Sequence, residues 1–127
     1  MTNAVYNILG YKGKQVRDNI HSYDLVNAFW HYFKNPRIGE VYNIGGGRYS
    51  NCSILEAIKL CEDITGKKLN HAYDKTNRIG DHVWWISSNN KFQSHFPDWK
   101  LTYDVEKILI DIYEANIERW GYLDKVI

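Results

Sequence analysis

The stretch that most restricts how this chain can fold is VYNIGGGRYSNCSILEAI, residues 41–58. Val41 and its neighbours through Ile44 predict a short strand. Gly45, Gly46 and Gly47 then predict a loop free to take positive φ. Ser53 with Glu56 forms an S-x-x-E capping box, which opens a helix expected over 53–65, and Gly66 supplies its left-handed stop. Strand, glycine loop and capped helix in succession point to an α/β protein.

The flanking segments extend that pattern. An apolar run over 5–9 is closed by Gly10, and GYKG reads as a turn before a second extended run over 15–21. Ser22 is the expected cap of the next helix, whose Leu25, Val26, Phe29, Trp30 and Phe33 share one helical face. Asn35-Pro36 ends it, because the proline ring disfavours helical backbone at the residue before it. A further strand is expected over 69–73, followed by an irregular stretch through NRIGDHVWWISSNNKF. Val105, Ile108, Leu109, Ile112 and Ala115 then form an apolar stripe on a last helix over 103–120. The predicted order is β-β-α-β-α-β-α, with mixed short strands and three main helices. Residues 1–127 form a single domain, without repeats or linkers.

Composition narrows the function. The chain is 44% hydrophobic and 15% aromatic with a net charge of +1, so it should fold, and it lacks the basic excess of a nucleic-acid or membrane binder. No apolar run reaches the length of a membrane span and the N-terminus lacks a signal-peptide pattern, which predicts a cytoplasmic location. Cys52 and Cys61 are expected to be reduced, with Cys61 a small core residue. The histidines His21, His31, His71, His82 and His95 contain no H-x-x-x-H or H-x-H spacing, so no metal site is expected.

Two further patterns are weak signals of cofactor binding or catalysis. The glycines are followed by Arg48, Tyr49, Ser50 and Asn51, which satisfies neither G-x-G-x-x-G nor the P-loop, so no cofactor-binding residue is assigned. Tyr103 with Lys107 has the Y-x-x-x-K spacing of short-chain dehydrogenases, but i, i+4 placement on an amphipathic helix produces the same pair. More informative is QVRDN: Arg17 inside a strand needs an anionic partner, either a nearby carboxylate or a bound anion. NRIGD supplies a second arginine, Arg78, and two separated arginines converging on one anion would clamp a diphosphate.

GYKGKQVRDNIHSYDLVNAF, GEVYNIGGGRYSNCSILEAI and NRIGDH, in this order, resemble the extended short-chain dehydrogenase/reductases that act on nucleotide sugars. Within them, the likeness is greatest to the CDP-paratose (CDP-tyvelose) 2-epimerase branch. It covers nearly all of this chain but only the C-terminal third or so of a family member. The implied fold is therefore a C-terminal portion of a Rossmann-like enzyme, whose NAD loop and catalytic serine or threonine, tyrosine and lysine would lie before Met1. By the same resemblance, Arg17 and Arg78 hold the substrate diphosphate. Asn19 and Asp81 take neighbouring nucleotide-binding positions, Asp81 near the ribose. Asn19 stands where relatives often carry an aromatic residue, and Ser88 and Asn89 stand where relatives often place an aspartate. The family also implies that strands at 15–21 and 41–44 join a sheet completed by the missing portion. Open edges and an apolar face at Phe29, Trp30 and Phe33 then predict a homo-oligomer.

Three functions stay open. One is the substrate-binding part of an NAD-dependent epimerase for a CDP- or UDP-linked hexose, inactive alone and with no catalytic residue of its own. A second is a stand-alone nucleotide-sugar-binding or scaffold module derived from that family. The third is a small enzyme using Tyr103 and Lys107.

Overall fold

The computed structural model describes residues 4–76 and 79–123. Among these described residues, two small sheets and four α-helices alternate, as an α/β reading requires. β1 (Tyr6–Leu9) pairs in parallel with β4 (His71–Asp74), with Tyr6 opposite His71 and Leu9 opposite Asp74. β2 (Val16–Asp18) lies at the centre of the second sheet, antiparallel to β3 (Asn51–Ser53) and parallel to β5 (Trp84–Trp85). The GYKG turn between β1 and β2 is left-handed throughout, with φ of 60° at Gly10, 46° at Tyr11, 54° at Lys12 and 72° at Gly13. It sends the chain from one sheet into the other rather than closing a hairpin.

Helix α1 (Ser22–Lys34) starts one residue earlier than expected at its cap. His21, not Ser22, occupies the N-cap, and its Nδ1 accepts the Tyr23 backbone N–H at 3.1 Å. An imidazole that accepts at Nδ1 carries its proton on Nε2 when neutral, and that nitrogen lies 3.0 Å from Asp111 Oδ2. The ring also stacks on Tyr103, with centroids 3.9 Å apart. Asn35 ends α1 as expected, its N–H reaching back to His31 and Tyr32.

Helix α2 (Ile54–Thr65) has both halves of the expected capping box, and Gly66 closes it at φ 67°. A short α3 (Asn90–His95) forms inside the stretch expected to be irregular, and α4 (Val105–Leu123) completes the fold. Ala28 of α1 packs with Phe92, Phe96 and Trp99 in a small core, which Ile20, Tyr42, Ile44 and Leu101 border. Asp24 is fully buried beneath this layer. Its carboxylate accepts from the Thr102 hydroxyl at 2.6 Å and from the Thr102 and Tyr103 amides at 3.0 and 3.1 Å. Trp99 Nε1 donates to the Asp24 carbonyl at 3.0 Å, so α1 is pinned to the segment that leads into α4. Buried polar groups are tolerated when paired in this way.

Residues 41–44 depart from expectation. Tyr42 and Ile44 turn toward the core while Val41 and Asn43 face out, which is the alternation of a strand, yet this segment joins no ladder among the described residues. A strand exists through its partner's hydrogen bonds, and both edges of β2 are already taken by β3 and β5. The apolar stripe of α1 is also uncovered: Val26, Phe29, Trp30 and Phe33 are between 54% and 73% exposed. Among the described residues, no helix is long and apolar enough to cross a membrane.

Candidate functional site

Side chains alternate across a strand, so Gln15, Arg17 and Asn19 project from one side of β2 and its flanks while Asp18 projects from the other. The register with β3 sets Arg17 opposite Cys52, and α2 begins immediately beyond Ser53. Together with Asp81 these residues enclose a cleft of about 330 Å³, with Gln15, Arg17, Asn19 and Asp81 as its polar wall and Ile54 and Ala57 as apolar lining. Three of the four residues assigned from sequence, Arg17, Asn19 and Asp81, therefore share one cavity. The fourth, Arg78, lies outside the described residues.

Arg17 has the carboxylate partner that its place in a strand demanded. Its Nη2 donates to Asp81 Oδ1 at 2.8 Å and also to the His82 carbonyl, and its Nη1 donates to the Val16 carbonyl at 2.8 Å. Gln15 Nε2 donates to the second Asp81 oxygen, Oδ2, at 2.9 Å. Asn19 Nδ2 donates to the Arg17 carbonyl at 3.2 Å. Burial pushes the Cys52 thiol up from its ordinary range, so the sulfur in this cleft is held as a neutral thiol and not as a nucleophilic thiolate. No histidine, tyrosine or lysine lines the cavity among the described residues.

The glycine segment has a different task from the flexible exit expected of it. All three glycines are buried. Asp18 Oδ2 accepts the Gly47 amide at 2.9 Å and the Ser87 amide at 3.0 Å, while Asn89 clasps Gly45 through both its amide and its carbonyl, at 3.1 and 2.8 Å. A carboxylate thus already faces the backbone that would meet a phosphate, and the loop does not fit the phosphates of a dinucleotide. Asn89 makes this clasp in place of capping α3. Sequence reasoning missed Gln15, Asp18 and Asn89; the adjacency of Asp18 to Arg17 on an alternating strand was the one available signal.

Tyr103 and Lys107 both line one open cleft, with Tyr23, Thr102 and Asp111. Tyr103 precedes α4 and stacks on His21, and Lys107 Nζ reaches the Thr102 carbonyl at 3.4 Å. Both cysteines are free, and Cys61 is half-buried beside an apolar cleft of about 350 Å³ between α2 and α4. Among the described residues, no group of three or more His, Cys, Asp or Glu side chains is placed to hold a metal ion.

No protein-family model matches the chain. A UDP-glucose 4-epimerase of Cyamopsis tetragonoloba is 34% identical over 115 residues, covering 87% of this chain and 32% of that protein. The chain is a partial homologue of the nucleotide-sugar epimerases. It spans about a third of the length of the curated relatives that it matches. The CDP-paratose 2-epimerase of Salmonella typhi is 40% identical over 63 residues, covering 48% of this chain and 18% of its own length. Among solved structures, the UDP-glucuronic acid 4-epimerase of Bacillus cereus, in complex with UDP-glucuronic acid and NAD, superposes with a TM-score of 0.74 at 26% identity. That match covers 84% of this chain and 33% of that one. The α/β fold is accordingly similar to one part of a Rossmann-like epimerase.

Proposed function

We propose that this chain is the substrate-binding, C-terminal portion of an NAD-dependent nucleotide-sugar epimerase, and that its ligand is a CDP- or UDP-linked hexose. The observation that carries this reading is the convergence on one cleft of Arg17, Asn19 and Asp81, three of the residues to which the family resemblance gives substrate-binding roles. In this reading Arg17 and Arg78 hold the diphosphate, while Asn19 and Asp81 meet the nucleotide. A guanidinium has five N–H donors; among the described residues three are committed, to Val16, Asp81 and His82, and two stay available for phosphate oxygens. The relatives support either nucleotide: a UDP-glucose 4-epimerase is similar over 87% of this chain and a CDP-paratose 2-epimerase over 48%.

NAD, when bound in such an enzyme, takes up hydride from a sugar carbon and returns it to the other face. The groups that hold it would belong outside these 127 residues, so the chain alone is expected to bind and not to epimerise. The reading includes self-association through the uncovered α1 stripe. Calorimetric titration with CDP-glucose and UDP-glucose tests it. Saturable binding that is lost in both Arg17→Ala and Arg78→Ala is the expected result, and heat unaffected by either substitution would sink the diphosphate clamp.

A second reading, a scaffold module without ligand, is favoured by one feature: the charge of Arg17 is already balanced by Asp81 within the chain. Absence of binding at millimolar nucleotide sugar would select it.

A further inference from the structure

A second cleft opens on the other face of the sheet. Paired residues of adjacent strands project to the same side and successive ones alternate, and β5 sets Trp85 beside Arg17 and Trp84 beside Val16. Trp84 therefore projects from the face opposite to the Arg17 cleft. It borders a cavity of about 670 Å³ together with Gly47, Arg48, Tyr49, Asn90 and Gln93, within the size range of small-molecule sites. Among the described residues, none lines both clefts. The floor is held rigid, because Asp18 Oδ2 accepts the amides of Gly47 and Ser87 at 2.9 and 3.0 Å and so joins its two sides. The walls are open: Trp84 is 67% exposed and Tyr49 51%. Among the described residues of the lining, Arg48 is the one charged side chain. Unlike Arg17, it has no carboxylate partner among the described residues.

We propose that this cleft is a binding site for a pyranose that carries a carboxylate, a hexuronic acid residue. An exposed indole offers a flat apolar face to the C–H side of a sugar ring, and the contact takes apolar surface of both out of water. The side-chain amides of Asn90 and Gln93, both exposed, each carry donors and an acceptor, which suits neighbouring hydroxyls that also do both. Arg48 supplies the forked donors that match a planar carboxylate. A neutral hexose would leave that cation without a partner, and a bare anion would leave the indole and the amides without one, so the set as a whole selects the charged sugar. The site is separate from the Arg17 cleft, and its ligand does not compete with a nucleotide sugar bound there.

The test is a proton–nitrogen NMR titration of the 127-residue chain with methyl glucuronide, methyl glucoside and cyclohexanecarboxylate. Saturable movement of the Trp84 indole N–H and the Arg48 side-chain signal is expected with the glucuronide. Its binding should be about tenfold tighter than that of the glucoside, the scale of a hydrogen bond to a charged group. Cyclohexanecarboxylate, which keeps the charge and lacks the hydroxyls, should also bind more weakly than the glucuronide. Arg48→Gln is expected to bring the glucuronide down to the affinity of the glucoside, and Trp84→Ala to lose both sugars. Both side chains are exposed, so neither substitution removes packing from the core. Equal binding of glucuronide and glucoside by wild type overturns the role of the carboxylate, and equal binding of cyclohexanecarboxylate overturns the sugar. Movement centred on Asn19 and Ala57 places the ligand in the Arg17 cleft and overturns the second site. Wild type without saturable movement at Trp84, or either variant with wild-type affinity for the glucuronide, overturns the proposal whatever nucleotide sugars do.

Discussion

At the scale of single residues, Gly46 is the most closely packed of the described glycines. A Cβ placed on Gly46 would sit 2.0 Å from the Asn19 carbonyl oxygen and 2.3 Å from that of Ser50, both rigid backbone atoms. Gly46→Ala is therefore expected to destabilise the chain by about 3 kcal/mol, the upper range of overpacking. Gly39 is a control of the opposite kind: it has a φ of +73° but nothing within 4 Å of the added carbon. Gly39→Ala should cost about 1 kcal/mol, from left-handed backbone alone. Urea unfolding of the two variants measures the difference, and equal losses would mean that the glycine segment is not packed as described. The same segment explains why Asp18 follows Arg17. One residue reaches the cleft and the next ties down the glycine loop, because adjacent side chains on a strand face opposite ways.

At the scale of elements, the helices are bounded by local hydrogen bonds. Ser53 Oγ accepts the Glu56 amide at 3.2 Å, and the Glu56 carboxylate accepts the Ser53 amide at 2.7 Å. Ser53→Ala is expected to cost about 1 kcal/mol, the usual value of an N-cap, read as a lowered urea midpoint. The Ser53 backbone N–H holds the Glu56 carboxyl below its ordinary value of 4.5. A folded-state pKa lowered in this way contributes stability that is fully present above the unfolded value and lost as pH falls through the folded one. The stability difference between wild type and Glu56→Gln should thus be constant near neutrality and shrink as pH drops below about 4.5. A difference that grows on acidification would contradict the cap. These signals were legible because cap, box and stop lie within a few residues of one another. The N-cap of α1 was misassigned for the complementary reason: His21 is oriented by Tyr103 and Asp111, far along the chain.

At the scale of the whole molecule, the notable feature is unmet apolar surface. Val26, Phe29, Trp30 and Phe33 form an uncovered stripe, and Trp30 stacks on Phe33 with centroids 5.6 Å apart. Exposed contiguous apolar patches mark interaction surfaces. Self-association is expected, seen as a sedimentation coefficient that rises with concentration, and Trp30→Asp with Phe33→Asp should hold the chain monomeric. A sharp monomer boundary for wild type at high concentration would remove this expectation. Sequence alone determined the α/β succession, the bounds of α2 and the end of α1, because each rests on local backbone chemistry; that Arg17, Asn19 and Asp81 line one cleft was decided by the fold. Tertiary structure alone decided that β2 pairs with β3 and β5 while residues 41–44 go unpaired. It also decided that the stripe of α1 is uncovered, and that Gln15 and Arg17 meet Asp81 more than sixty residues away. Strand pairing and burial belong to two segments at once, and periodicity within one segment marks an apolar face without specifying what covers it.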